Sequence, residues 1–219
     1  VLIVGDNGVF PHKIVNYDYS FPNDDFFVEI DGNDYFPELM IGRFTNESDY
    51  QMQVMTNKFI KYEKTPYTTA TDWFKKGICC SNNAYASQVQ TKREAAQYML
   101  DYGFTSVDTM MSDSPCTYDV ADVISAINAG RSWLNYRGEG WSYGWWANCT
   151  PLQTENLTSI NNGQKFTFIT SIGCGVAMFN DGTSNCFGET WLEMGTVGSP
   201  KGAIAFVGPT SNTHTAYNN

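Results

Sequence analysis

An α/β domain with a largely parallel sheet flanked by helices is what this sequence predicts, and three observations predict it. Short apolar, β-branched runs alternate along the chain with amphipathic segments of helical period, which is the pattern of strands joined by crossover helices. With 219 residues, 42% of them hydrophobic and 16% charged, the chain is long enough for one sizeable core and is not of disordered composition. Several of the apolar runs end in Gly-rich turns, as strands do where the chain leaves a sheet.

Val1–Gly5 (VLIVG) is a buried strand closed by the turn Gly5-Asp6-Asn7-Gly8. From Val9 to Pro37 the periodicity is weak, and the stretch is assigned as loop with one short strand at most. Glu38–Phe44 is the second strand. Asn46 or Ser48 caps a helix running to about Lys64, with Met52, Met55, Phe59 and Tyr62 on one face, and Pro66 stops it. Phe74–Cys80 is a strand, Thr91–Tyr102 a helix ended by Gly103, and Thr105–Met110 a strand. Asp119–Ala129 is a helix, with Val120, Val123, Ile124 and Ile127 inward and Gly130 at its end. Arg131–Arg137 is a strand, Pro151–Asn161 holds a short helix, Phe166–Ile172 is a strand, Cys186–Met194 a helix and Gly202–Val207 the last strand.

Composition also excludes. A net charge of −10 argues against nucleic acid or an anionic membrane surface as partner, since both need clustered Lys and Arg. No apolar run approaches the roughly 20 residues a membrane span needs. Low charge with many Asn, Thr, Ser and Tyr fits a secreted or cell-surface protein. The six cysteines contain no CxxC pair, which argues against a zinc ribbon or a thioredoxin-like site. Cys149 and Cys186 are candidates to pair in an oxidising compartment, without the sequence fixing that connectivity. Adjacent Cys79 and Cys80 are poor partners for each other.

Three strand ends carry unusual chemistry: Asn135-Tyr-Arg-Gly-Glu-Gly140, Ser171-Ile-Gly-Cys-Gly175 and Gly208-Pro-Thr-Ser-Asn-Thr-His-Thr215. If their strands are parallel neighbours, all three loops open at the carboxyl edge of the sheet, where α/β folds bind ligands. That gathers Cys174, Glu139 and His214, with Asn135, Arg137, Ser171 and Thr210 around them. Cys174 between two glycines is either a small buried hydrophobe or a nucleophile. Backbone N–H groups near Gly138, Gly140 and Gly175 are candidates to hold an oxyanion. Trp141, Trp145 and Trp146 either wall a substrate subsite, with Trp141, Ser171 and Thr210 as its contacts, or pack the loop onto itself. The carboxylates of Asp24, Asp25, Glu29, Asp31, Asp34 and Glu38 crowd one loop, either to hold a structural Ca²⁺, with Asp31 and Asp34 as ligands, or as a solvated acidic face. No catalytic cofactor is required.

Much of the chain resembles the gingipain-type (C25-like) cysteine peptidases, which share the caspase-like fold. The resemblance rests on VLIVGD at the start, GNDYFPELMIGRF over 32–44, KYEKTP over 61–66, the NYRGEG loop, the strand with Cys174, and FGETWL followed by GAIAFVGPT. It implies a caspase-like sheet and an endopeptidase acting on proteins or peptides, with Cys174 as nucleophile. It also implies one peptidase domain over 1–219, truncated or processed at both ends, whose partners include remaining segments of the same precursor or a second chain. The family places a His-Gly pair where this chain has Glu139-Gly140. A carboxylate opposes ionisation of a neighbouring thiol. Three possibilities follow: a rearranged base, with His214 held by Glu139; a silent relative that binds peptides or partners; or Glu139 as a selector of basic side chains, with the base beyond this segment.

Overall fold

The computed structural model describes residues 1–16, 20–32, 34, 36–180 and 185–214. Five parallel strands form its centre: β5 (Lys76–Ser81), β6 (Ser106–Met111), β7 (Trp133–Arg137), β10 (Thr167–Ile172) and β11 (Ala203–Val207), in the order β11-β10-β7-β5-β6. β1 (Leu2–Val4) and β4 (Gly42–Phe44) form a separate parallel pair. β2 (Lys13–Asn16) and β3 (Ser20–Asn23) form an antiparallel pair, as do β8 (Gly140–Trp141) and β9 (Gly144–Trp145).

The pleat sorts adjacent side chains onto opposite faces. Cys80, Leu134, Tyr136 and Ile169 face one layer, built from α3 (Val120–Ala129), α4 (Phe187–Glu193) and the buried rings of Trp145 and Trp191. Cys79 and Met111 face the other layer, where Ala96 and Met99 of α2 (Ala86–Tyr102) cover them. Cys79 and Cys80 therefore belong to different sides of the sheet. Ser48 Oγ accepts from Gln51 N–H to start α1 (Asp49–Lys64), and Asp119 caps α3 through Ala121 and Asp122 N–H.

Four expectations change. Glu38 lies in a loop and not in a strand, because its carboxylate accepts from Ile30 and Asp31 N–H and pins the backbone away from β1. Phe74 belongs to a 3₁₀ turn, Asp72–Lys75, in which the buried Trp73 donates its indole N–H to Tyr67 O, so β5 starts only at Lys76. The segment 151–161 contains a 3₁₀ turn, Thr154–Ser159, and no α-helix. Helix α2 begins five residues before Thr91, because Gln88 Oε1 accepts from Tyr85 N–H and supplies a cap where no Ser or Asp stands.

Register decides where the site lies. Met111, Ser81, Arg137 and Ile172 are level across four strands, so the loops that follow them leave the sheet side by side.

Candidate active site

The loop after β7 and the loop after β10 pack backbone to backbone. Gly138 N–H donates to Ile172 O at 3.0 Å. A Cβ on Gly138 would sit 2.3 Å from Tyr136 Oη, and one on Gly140 would sit 3.2 Å from Gly173 Cα. Only glycine permits this approach. Tyr136 Oη and Trp146 N–H both donate to Glu139 O, at 2.7 and 3.0 Å, which fixes the turn. Gly175 takes φ +63°, a left-handed value that lets the chain reverse directly after Cys174.

The loop after β11 closes the third side. Ser211 O accepts from Gly175 N–H, and Pro209 O accepts from Ala177 N–H. This brings Thr213 onto the sulfur: its N–H lies 3.4 Å from Cys174 Sγ, its Oγ1 3.7 Å and its carbonyl O 3.8 Å. A cleft of about 220 Å³ opens here, lined by Tyr85, Gln88, Arg137, Gly138, Glu139, Ile172, Cys174 and Thr213.

The charges around the cleft differ in burial. Arg137 is 3% exposed and Lys92 6% exposed. Lys92 Nζ donates to Asn135 Oδ1 at 2.7 Å. Burial lowers the pKa of both cations, and the charge of Arg137 adds to the lowering at Lys92. Glu139 is exposed at the rim, where Asn82 Nδ2 donates to its Oε2 at 3.4 Å. His214, the residue after Thr213, is exposed and is not among the residues lining the cleft.

The model of peptidase family C25 matches residues 1–219, the whole chain. The chain belongs to peptidase family C25. Gingipain R2 of Porphyromonas gingivalis is 27% identical over 97% of this chain, and Lys-gingipain W83 of the same organism is 26% identical over 97%. The crystal structure of gingipain R, described as an Arg-specific cysteine proteinase, superposes with a TM-score of 0.85 at 26% identity over 97% of this chain. The fold is thus the caspase-like one expected. This chain spans 28% of the length of gingipain R2 and 49% of the gingipain R structure.

Within this C25 chain, the remaining candidates separate. Gly138 and Gly175 are not open oxyanion donors, because their N–H groups already bond Ile172 O and Ser211 O. Ser171 is fully buried, and its Oγ accepts from Trp145 Nε1 at 2.9 Å, so it is a core residue and not a substrate contact. Thr210 Oγ1 donates to Pro22 O at 2.8 Å, tying its loop to β3. The WSYGWW loop divides between packing and exposure, and none of its tryptophans lines the cleft. Trp145 is buried and stacks on Tyr136 at 4.0 Å, while Trp141 and Trp146 stay exposed, 5.8 Å apart. Asp31 Oδ1 accepts from Gly32 N–H and Asp34 Oδ1 from Phe36 N–H; among the described residues no three Asp, Glu, His or Cys side chains gather as a metal site.

Cys149 pairs with Cys116, not with Cys186. Cys186 is buried at the start of α4. The free thiols of Cys79, Cys80 and Cys186 are all buried, and burial pushes Cys79 up to about 11 and the other two well above the usual thiol range. Cys174 is the accessible one. Sequence reasoning missed Gln88, Lys92, Asn82 and Thr213. A polar residue on a helix face looks solvated until the face is known to be covered. The only advance signal for Thr213 was its place beside His214.

Among the described residues no helix is long and apolar enough to cross a membrane.

Proposed function

We propose that this chain is a cysteine endopeptidase that hydrolyses peptide bonds in proteins or peptides outside the cell, with Cys174 as nucleophile. The observation that carries it is selective accessibility. Of four free cysteines, three are buried and Cys174 alone opens into a polar cleft at the carboxyl edge of the parallel sheet. Its sulfur attacks the scissile carbonyl carbon. Glu139 or His214 takes the thiol proton and returns it to the leaving amine. The backbone N–H of Cys174 itself replaces Gly138 and Gly175 as oxyanion donor. Trp141, exposed beside the loop of Glu139, offers a flat surface to the flanking substrate residues. A solved complex between the pro- and mature domains of a relative supports proposing a precursor segment as a further partner.

One observation favours a second possibility, a catalytically silent module that binds peptides in the same cleft. Thr213 N–H lies 3.4 Å from the sulfur, and the sequence resemblance implies a histidine where Glu139 stands. Alkylation and turnover separate the two. For a peptidase, iodoacetamide modifies Cys174 faster than a model thiol at pH 7, and Cys174→Ala abolishes cleavage of a fluorogenic peptide pool. Modification no faster than the model thiol, with no cleavage by the unmodified chain, leaves the binding module.

A further inference from the structure

The hairpin that follows Glu139 has two faces of opposite character. Across β8 and β9, Gly140 pairs with Trp145 and Trp141 with Gly144. Trp146 N–H donates to Glu139 O, so the next pair along the ladder is Glu139 with Trp146. Paired residues share a face, and so do residues two apart on one strand. One face therefore carries Trp145, which is fully buried, stacks on Tyr136 at 4.0 Å and donates its indole N–H to Ser171 Oγ. The other face carries Glu139, Trp141 and Trp146, all exposed.

The outer rings do not pack the hairpin down; Trp145 does that. Trp141 is 46% and Trp146 56% exposed, with centroids 5.8 Å apart and planes tilted by 43°. No side chain stands directly opposite Trp141, because its partner is Gly144, where a Cβ would meet Leu152 O at 2.5 Å. The support beneath the rings is fixed by further links. Ser142 O accepts from Phe187 N–H, Asn148 N–H donates to Asn82 Oδ1, and Cys149 is bonded to Cys116. Two indoles are thus kept in water on an anchored hairpin, the arrangement of a preorganised contact surface. This face also runs into the cleft. Glu139 belongs to both, and a Cβ on Gly175, the residue after Cys174, would lie 3.7 Å from Ser142 N and 4.0 Å from the Trp141 carbonyl carbon.

From this we infer that Trp141 and Trp146 form a second subsite, outside the cleft, that takes an aromatic side chain of the peptide whose neighbouring residues occupy the cleft. A third ring completes the angled packing that the first two leave open, as Phe187 does between Trp145 and Trp191 in the core at 5.8 and 6.1 Å. Geometry favours a ring over a cation. Two tilted faces open to water enclose a charge on too few sides to desolvate it, whereas the gain from burying a ring scales with the area covered. Glu139, the carboxylate on this face, accepts from Asn82 Nδ2. The inference rests on the proposed peptide-cleaving or peptide-binding role of the adjoining cleft.

The test uses the Cys174 thiol as its own anchor. Tripeptide chloromethyl ketones and bromoacetyl tripeptide amides reach the sulfur from opposite ends of a peptide; in both, sulfur displaces halide and one C–S bond forms. Each set places Phe, Leu, Pro, Lys or Ala at one position in a Gly-Ala background. The readout is the second-order rate of modification of the 219-residue chain, followed by intact mass and normalised to iodoacetamide. At one position Phe should react roughly tenfold faster than Ala, and ahead of Leu, Pro and Lys. Trp141→Ala and Trp146→Ala should each remove most of that ratio, and Trp141→Phe should keep part of it. Because the ratio compares two ligands on one protein, a general change in thiol reactivity cancels, and the wild-type chain alone can refute the inference where a variant fails to fold. Phe selectivity without turnover of coumarin amides keeps this inference and removes the peptidase reading; turnover without Phe selectivity does the reverse. Equal rates for Phe and Ala at every position, a preference for Leu, Pro or Lys, or selectivity that survives in both alanine variants overturns the inference.

Discussion

Replacing Glu189 with Gln should stabilise the protein at pH 8 and leave it nearly unchanged at pH 5. Glu189 lies in α4, is 6% exposed, and its Oε2 accepts from Cys186 N–H at 2.7 Å. Burial pushes its carboxyl up to about 8; the bond from Cys186 N–H opposes this, and the negative charge of Asp6 adds to it. The folded state therefore keeps a proton that the unfolded chain releases near 4.5. That contribution is fully present below pH 4.5 and is lost as pH rises through about 8. At roughly 1.4 kcal/mol per pH unit, the climb costs on the order of 5 kcal/mol by pH 8, an upper bound that water penetration reduces. Glu193, pushed up to about 7 by burial, slopes the same way. Lys58 slopes oppositely and at higher pH: burial lowers it to about 7, so the unfolded chain holds the extra proton and stability rises from there toward 10.5. Glu189→Gln keeps an acceptor for Cys186 N–H and removes the ionisation. The assay is urea unfolding from pH 5 to 8.5 with a chelator present, so that no divalent cation neutralises the carboxylates. The advantage of the variant should grow by a few kcal/mol across that range. Wild-type stability that is flat or rising from pH 5 to 7, or a variant curve parallel to wild type, refutes the reasoning.

Three further outcomes follow from particular contacts. Ser171→Ala strands the buried indole N–H of Trp145 and should cost about 1–3 kcal/mol in thermal or urea unfolding, with no change in the alkylation rate of Cys174. A changed rate with unchanged stability would return Ser171 to the substrate site. Cys116→Ser opens a link across 33 residues and should remove up to ~4 kcal/mol, read as a lower Tm; no shift would mean the pair is not formed in solution. Gly138→Ala drives a methyl to 2.3 Å from Tyr136 Oη, displacing the hydroxyl from Glu139 O. It should cost about 1–3 kcal/mol and alter Cys174 alkylation, because the two loops move together; wild-type behaviour in both measurements would show that the turn has slack.

The parallel sheet was legible because runs such as Thr167–Ile172 and Ala203–Val207 are rich in apolar and β-branched residues and alternate with helical segments. Helices α1 and α3 were legible because Ser48 and Asp119 cap them by local chemistry. The level placement of Arg137 and Ile172 followed from the expectation that their strands pair in parallel. What was hidden depends on contacts far apart in sequence. Glu38 belongs to a strand-like run and is captured by Ile30 N–H. Cys149 had several possible partners, and only the approach of its loop to Cys116 selects one. Lys92 occupies a helix position that solvated lysines also occupy, and its burial against Asn135 appears only once α2 is laid on β7.

The cysteines show how position along a strand turns one residue type into two kinds of chemistry. Cys79 and Cys80 lie within β5, where parallel neighbours pair on both sides and helices cover both faces, so both thiols are sealed from water. Cys174 lies two residues beyond Ile172, where the ladder with β7 has ended. Its neighbours there are turns, and a turn leaves room for a cleft. The same register places Arg137 opposite Ile172 and so puts the buried guanidinium at the cleft floor. The accessible thiol and the buried guanidinium thus come together through one structural fact, the level ends of β7 and β10. Shifting β10 against β7 by a single residue would turn its alternating side chains to the other face and carry Cys174 away from Arg137, which stays on β7.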